Sequence, residues 1–470
     1  MTSPRTDAAP PAKRSSSIAA ALSFLWPGLG QWYAGRPRAA ALYAIPTLIV
    51  LLAILVRAAA GLSTLAIQLI EPSVALTVLV LVIVAGLWRM FAIADASASI
   101  NRRLVFRGRA GGVLIGLLLA VLATHGVLAY YAYSFYENGS QIFVGDNPNP
   151  TDVPGSTPDP SNLYEATPFA TPETADSRIT ILLTGIDKTT ERTHSLTDTL
   201  LVLSVDPVSG DTDMVSFPRD TAEFPLYMGG TFKGKINSLF SYAGSHPTEF
   251  PDGPLPSLAR ELSFLLGIPI NYYAAIDLDG FRLMIDRVGG ITVTVDRAIQ
   301  DSRYDWLDGS NLGFFLSKGT HTLDGRHALA YVRSRYGIGD NDFTRAARQQ
   351  QLLLALRKKL TDPAMLPRLP AVLDVAGDTI RTNFPSERID EMLELAQGID
   401  EAKIQRFVLQ PPVFSKHPPT NTTGGTYILR LNLNAVRALS VMLFGEDSDF
   451  WTGTFDPVGS PIPATVAPTP

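Results

Sequence analysis

Three long apolar runs crowd the first 133 residues, and they constrain the chain more than anything else in it. They are "LYAIPTLIVLLAILV" (42–56), "VALTVLVLVIVAGLW" (74–88, continuing to about Ala94) and "GGVLIGLLLAVLATHGVLAYYAY" (111–133). With their flanks, each approaches the roughly 20 residues that cross a bilayer as a helix. An α-helical transmembrane region of about three spans is therefore predicted. The preceding stretch, "IAAALSFLWPGLGQWYAG" (18–35), is apolar but broken by Pro27, Gly28 and Gly30, which predicts an interfacial or re-entrant segment. Charge supports that count: Lys13, Arg14, Arg36, Arg38, Arg102, Arg103, Arg107 and Arg109 can all face the cytoplasm only if residues 18–35 do not cross. Three crossings put everything after Ser134 outside the cytoplasm.

Composition agrees and excludes several classes. The chain has 470 residues, 46% of them hydrophobic, and a mean hydropathy of +0.14, too apolar for a simple soluble protein. A formal net charge of −5 gives no general attraction to nucleic acid, so no nucleic-acid partner is expected. With no cysteine there are no disulfides and no thiolate metal sites, and the six histidines show no zinc-ligand spacing. Residues 147–177 are rich in Pro, Thr, Ser and acids and read as an extended stalk, and 457–470 ends the chain in a similar way. Four parts result: 1–136, the cytoplasmic N-terminus and membrane helices; 137–177, an extracytoplasmic linker; 178–455, a folded domain; and 456–470, a disordered tail.

In the folded part, "RITILLTGID" and "DTLLVLSVD" read as strands, and "PVSGD" joins the second to a third, "TDMVSFPRD", as a hairpin. Antiparallel pairing about Pro207 to Gly210 sets Asp198 opposite Arg219, and Asp187 ends the preceding strand at the same sheet edge. Each acid taken singly also suits a turn that caps a strand. "PSLARELSFLLG" has helical spacing with a glycine stop, and "INYYAAIDLDGFRLMIDRVGGITVTVD" reads strand, helix, Gly-Gly turn, strand. The alternation predicts an α/β domain with helices covering a mixed sheet. "ALAYVRSRY" is predicted as a strand with Tyr331, Arg333 and Arg335 on one face, followed by a helix from Asp342 whose Asp342, Arg345 and Gln349 form a stripe. So many planar, permanently charged donors beside one loop suit phosphate oxygens; a solvated helix face with structural Arg–Asp pairs is the alternative.

The ordered set "LLTGID", "TDTLLVLSVDPVSGD", "SFPRDT", "KINSLFSYAG", "INYYAAIDLDGFRLMIDRVGGITVTV", "GTHTLDGRHALAYVRSRY" and "DFTRAARQQ" resembles the LytR-CpsA-Psr family of bacterial envelope enzymes over most of residues 178–360. The resemblance implies a membrane-anchored protein with an outer three-layer α/β/α domain. It implies transfer of a glycopolymer from a polyprenyl-pyrophosphate carrier to a peptidoglycan acceptor, with Mg²⁺ and an arginine-rich site. Carried over by position, Asp187 and Asp198 would be the Mg²⁺ ligands, and Arg219, Asp220, Arg333 and Arg335 the catalytic set. Lys235 and Arg345 would hold pyrophosphate oxygens, with Asp342 and Gln349 orienting them. One departure stands out: the family's usual Arg two residues before the second aspartate is Leu196 here, within "LTD", and Arg192 is the nearest substitute. A non-catalytic binder of polyprenyl phosphate or wall glycan is the other function the pattern allows.

Overall fold

A computed structural model of the chain describes residues 14–59, 67–101, 103, 104, 106–143, 178–187 and 196–444. Arg102, Arg192, the stalk 147–177 and the tail 456–470 lie outside the described residues. The chain divides into two compact units, Met1–Glu137 and Asn138–Pro470.

In the first unit α1 (Ser16–Leu25) and α2 (Leu29–Tyr33) are short and meet at a break around Gly28, whose φ of 105° is open to glycine at little cost. The expected interruption at Pro27 to Gly30 is thus present. Gln31 is buried there and donates to Ala92 O at 2.8 Å, while Ser23 Oγ donates to Gln31 Oε1 at 2.9 Å. Three longer helices follow, α3 (Pro37–Ala59), α4 (Pro72–Asn101) and α5 (Gly108–Ile142), and each is long and apolar enough to cross a membrane. The third runs nine residues beyond the apolar run that marks it in the sequence, which stops at Tyr133.

The second unit is built on β1 (Ile179–Asp187), β2 (Leu196–Val205), β3 (Thr212–Ser216), the side hairpin β4 (Ala222–Pro225) and β5 (Thr231–Lys235), then α6 (Leu239–Ser245), α7 (Pro254–Leu266), β6 (Tyr272–Asp277) and α8 (Leu278–Arg287). It continues through β7 (Ile291–Val295), β8 (Ile299–Asp301), β9 (Phe314–Leu316), β10 (Gly319–Leu323), α9 (Gly325–Arg333), α10 (Asp342–Leu360), α11 (Leu369–Thr379), β11 (Ile380–Thr382), α12 (Ile389–Gly398), β12 (Ile404–Val408) and finally α13 (Leu433–Phe444). Six strands form one mixed sheet in the order β11-β6-β1-β2-β3-β12, with β1 parallel to β6, β3 parallel to β12 and the other neighbours antiparallel.

Strand alternation sends Leu182, Leu200, Val202, Val215 and Tyr273 to one face, where they pack in a core with α6, α7 and α13. Ile179, Ile181 and Tyr272 go to the other and meet Leu395 of α12. On that second face Gln350 of α10 donates to Ser216 Oγ, next to Val215, at 2.9 Å. The domain is therefore the three-layer α/β/α arrangement with a mixed central sheet. Its helices start and stop where the sequence signals: Gly267 (φ 77°) ends α7, and Asn341 caps α10 by accepting from Phe343 N and Thr344 N.

One element corrects the sequence reading. "ALAYVR" is the body of helix α9 and not a strand, capped by Asp324, which accepts from His327 N at 2.8 Å. Ala328, Leu329, Ala330, Tyr331 and Val332 are all buried, so the run shows no exposed face by which a period of two could be told from 3.6. Arg333 is consequently the last residue of a helix and Arg335 stands in the irregular segment after it, so they share no strand face.

Candidate active site

The hairpin β2–β3 behaves as its turn chemistry predicts. Its ladder runs from Val205↔Thr212 to Leu201↔Ser216, and Phe217 N donates to Leu200 O at 2.9 Å. Two residues further, Arg219 reaches Asp198, with Nη1 2.6 Å from Oδ1. Between β1 and β2 the register shifts: Gly185 faces Thr199 but Ile186 faces Thr197, so Asp198 is the extra residue of a bulge, a device that re-aims a side chain next to a site. Asp187 closes β1 opposite Leu196, and its Oδ2 lies 3.8 Å from Arg333 Nη2.

From the other side, α10 begins with Asp342. Its Oδ1 is 3.1 Å from Arg345 Nη1, 3.8 Å from Arg219 Nε and 3.8 Å from Arg335 Nη1, so three guanidinium groups converge on one carboxylate oxygen. Asp220 pairs with Lys235 at the end of β5. Arg219, Asp220, Lys235, Arg335, Asp342 and Tyr427 line an open cleft of about 470 Å³, and Arg345 is buried beside it. Gln349 donates to Val332 O at 3.3 Å, tying α10 to the end of α9.

Electrostatics separates Arg219 from Arg345. Burial works against the Arg219 cation, but Asp198, with help from Asp342 and Asp220, more than offsets it and raises the pKa. For Arg345 burial wins: its pKa is lowered, because Asp342 only partly compensates and Arg219 adds like charge. Five cations (Arg219, Lys235, Arg333, Arg335, Arg345) thus share four carboxylates (Asp187, Asp198, Asp220, Asp342), a site with positive charge left for an anion.

Several supporting residues carry no local signal in the sequence. Asp301, at the end of β8, accepts from Ser334 Oγ at 2.8 Å and from the backbone N–H of Arg335 and Tyr336, each at 3.1 Å. Asp340 takes Arg348 Nη1 at 3.0 Å, and Arg348 also donates to Ser334 O. Together they fix the segment that carries Arg335. Tyr427, from the C-terminal part of the domain, also lines the cleft; burial, then Asp220 and Asp342, raises its pKa.

Among the described residues no group of three or more His, Cys, Asp or Glu side chains could hold a metal. Two carboxylates at facing strand ends nonetheless fit Mg²⁺, which keeps several waters and shares oxygens with a substrate phosphate. Arg219 engages Asp198 through Oδ1 alone, leaving the other oxygen of that carboxylate outside the pair.

Comparison with known proteins decides the family. The model described as LytR_cpsA_psr family matches residues 156–442, more than half of the chain. The chain belongs to the LytR-CpsA-Psr family. Regulatory protein MsrR of Staphylococcus aureus is 31% identical over 283 residues, 59% of this chain and 78% of its own length. Polyisoprenyl-teichoic acid–peptidoglycan teichoic acid transferase TagU of Halalkalibacterium halodurans is 28% identical over 284 residues, 60% of this chain and 81% of its own. The crystal structure of Bacillus subtilis TagV superposes with a TM-score of 0.46 at 25% identity, over 57% of this chain and 96% of that one.

Proposed function

We propose that this protein is a membrane-anchored phosphotransferase that moves a glycopolymer from a polyprenyl-pyrophosphate carrier to peptidoglycan, with its α/β/α domain outside the cytoplasm. The observation that carries this reading is the convergence of Arg219, Arg335 and Arg345 on Oδ1 of Asp342, which lines an open cleft with Arg219 and Arg335. Planar guanidinium groups that meet at one carboxylate oxygen are arranged to donate to the oxygens of a phosphate there. The name of TagU, a transferase that joins teichoic acid to peptidoglycan, supports the same class of chemistry.

In this reading Arg219, Arg333, Arg335, Lys235 and Arg345 bind the pyrophosphate. An acceptor hydroxyl attacks the glycan-side phosphorus, the P–O–P bridge breaks, polyprenyl phosphate leaves and the hydroxyl proton passes to the carboxylates lining the cleft. The arginines neutralise the charge that gathers on the leaving phosphate. Asp187 and Asp198 would hold Mg²⁺, which when bound supplies further neutralisation of the phosphate oxygens. Asp220 holds Lys235 in the cleft wall.

Binding without turnover is the reading that Leu196 favours. It faces Asp187 across the β1–β2 ladder, where the family's usual side chain would add a further cation. Mass spectrometry of the detergent-purified full chain tests the common ground of both readings. A co-purified polyprenyl phosphate or pyrophosphate that is lost in Arg219→Ala supports them, and a chain that carries and binds no such lipid contradicts both. A reporter fused after Pro470 that is active only in the cytoplasm would overturn the topology.

A further inference from the structure

Large apolar side chains are unevenly exposed on the outer domain. Among its described residues eleven such side chains are exposed, and five of them, Leu307, Leu312, Phe315, Tyr336 and Ile338, gather on the β8–β9 hairpin and the segment after α9. Leu312 is 73%, Phe315 63% and Ile338 79% exposed. The two segments are in contact. Gln300 and Phe315 are cross-strand partners in the β8–β9 ladder, and a Cβ at Gly337 would lie 3.4 Å from Gln300 N. Arg303 lies over the Tyr336 ring at 5.8 Å.

The hairpin is packed where it meets the protein and apolar where it leaves it. Phe314 points inward to Tyr304 and Trp306, and Trp306 Nε1 donates to Gly313 O at 2.9 Å, which folds the connection back on itself. Arg326 covers Trp306 at 4.2 Å and pairs with Asp308 at 2.7 Å. With the aromatic side of the hairpin occupied in this way, Leu307 and Leu312 are left outward on the connection and Phe315 outward on β9.

We infer that this hairpin and Ile338 form a membrane-docking edge that inserts into the outer surface of the lipid bilayer beside the arginine cleft. Three observations select a bilayer over another occupant. The same chain carries three helices long and apolar enough to span a membrane. The exposed group mixes aliphatic tips with an Arg–Tyr stack and Lys318, the composition that settles at the headgroup level. The edge is also continuous with the cleft: Tyr336 lines both, and Asp301 of β8 holds the backbone of Arg335. Tyr304 of the same hairpin meets Arg333, whose charge and hydrogen bond lower a phenol pKa that burial raises. Docking would therefore bring two phosphate-binding arginines to the depth at which a carrier lipid presents its headgroup. That purpose rests on the lipid-carrier reading, whereas the contact with lipid does not.

The absence of cysteine makes the test clean, because a single introduced thiol labels one position. Leu312→Cys, Ile338→Cys and, as a distant exposed control, Val208→Cys are labelled with an environment-sensitive fluorophore on the full chain reconstituted in phosphatidylglycerol-containing vesicles. The expected result is a blue shift at 312 and 338 with quenching by lipids nitroxide-labelled near the headgroup, and neither at 208. A probe that stays wet at 312 and 338 overturns the inference; so does a blue shift without lipid quenching, which would mean that protein covers the edge. A second arm separates the two readings. Leu312→Asp should lower transfer from a long-chain carrier in vesicles about tenfold, the worth of one lost aliphatic contact, and leave binding of a soluble short-chain pyrophosphate unchanged. If the parent binds no lipid pyrophosphate at all, the functional proposal fails while the quenching result still decides the docking edge.

Discussion

Arg345 and Asp342 face each other at 3.1 Å within the first turn of α10, and they hold each other in an unequal balance. Arg345 is only 5% exposed, and burial lowers its pKa despite the nearby carboxylate. Asp342→Asn removes the negative charge that three guanidinium groups share. The unfolding midpoint should fall by the equivalent of about 1–3 kcal/mol, and added inorganic pyrophosphate should restore part of the loss by replacing the missing anion. Thermal unfolding with and without pyrophosphate checks this; a variant as stable as the parent would show that Asp342 is not the anchor of the cluster.

Arg335 differs from Arg345 in being partly exposed, with its side chain 29% accessible and its nearest carboxylate oxygen at 3.8 Å. Arg335→Lys keeps the charge and discards the planar fork. Stability should change by less than about 0.5 kcal/mol while transfer drops by at least about tenfold. Unaltered transfer would mean that charge alone is needed, and a large drop in melting temperature would mean that Arg335 is structural.

The two aspartates assigned to Mg²⁺ should respond unequally. Asp198→Ala removes the main partner of half-buried Arg219, so it should cost stability as well as Mg²⁺-dependent activity. Asp187 meets Arg333 at the longer distance of 3.8 Å, and Asp187→Ala should chiefly abolish the Mg²⁺ response. Titration of activity with Mg²⁺ for each variant, alongside its melting curve, tests the assignment; a normal Mg²⁺ response in either removes that residue from it.

Glu261 lies at 0% exposure in α7, inside the core below the sheet, with Tyr227 N donating to Oε2 at 3.2 Å. Burial pushes its pKa up to about 8, against the lowering effect of the Tyr227 hydrogen bond. Between the ordinary carboxylate range and pH 8 the folded chain binds the extra proton, so the unfolded state gains on it as pH rises, by up to about 1.4 kcal/mol per pH unit. This contribution to stability is present in full at low pH and is lost by the time pH has risen through about 8. Glu261→Gln, which needs no proton to stay neutral, should match the parent near pH 5 and exceed it in melting temperature at pH 8 and above. Parallel pH profiles would show that Glu261 is ionised throughout.

How much of this was legible in the sequence follows the range of the interactions. The turn "PVSGD" sets the register that brings Asp198 to Arg219, and a glycine stop marks the end of α7, both within a few residues. "ALAYVR" misled because an apolar run buried on every side has no phase, and only the Asp324 cap distinguishes helix from strand. Asp301, Asp340 and Tyr427 carry no signal because their partners are distant in the chain or they stand in irregular segments. Asp301 lies 33 residues from Ser334, and nothing local marks it as the anchor of that loop. The bulge that re-aims Asp198 was equally silent, since it arises from pairing with β1 and not from the residues of β2 alone. Glu261 offered one clue, an acid set between the apolar positions of an amphipathic helix.

In the proposed function the arginine cleft transfers a glycan from a lipid pyrophosphate. The most direct measurement incubates the full chain, in vesicles with Mg²⁺, with a polyprenyl-pyrophosphate-linked oligosaccharide and a peptidoglycan fragment, and follows both the released polyprenyl phosphate and the glycan on the acceptor. Transfer by this cleft predicts that both products form in equal amounts with the parent and that both fall by at least about a hundredfold in Arg219→Ala, the loss expected when one donor that stabilises a transition state is removed. Intact donor that stays bound to the parent without either product would contradict it and leave a binding protein in its place.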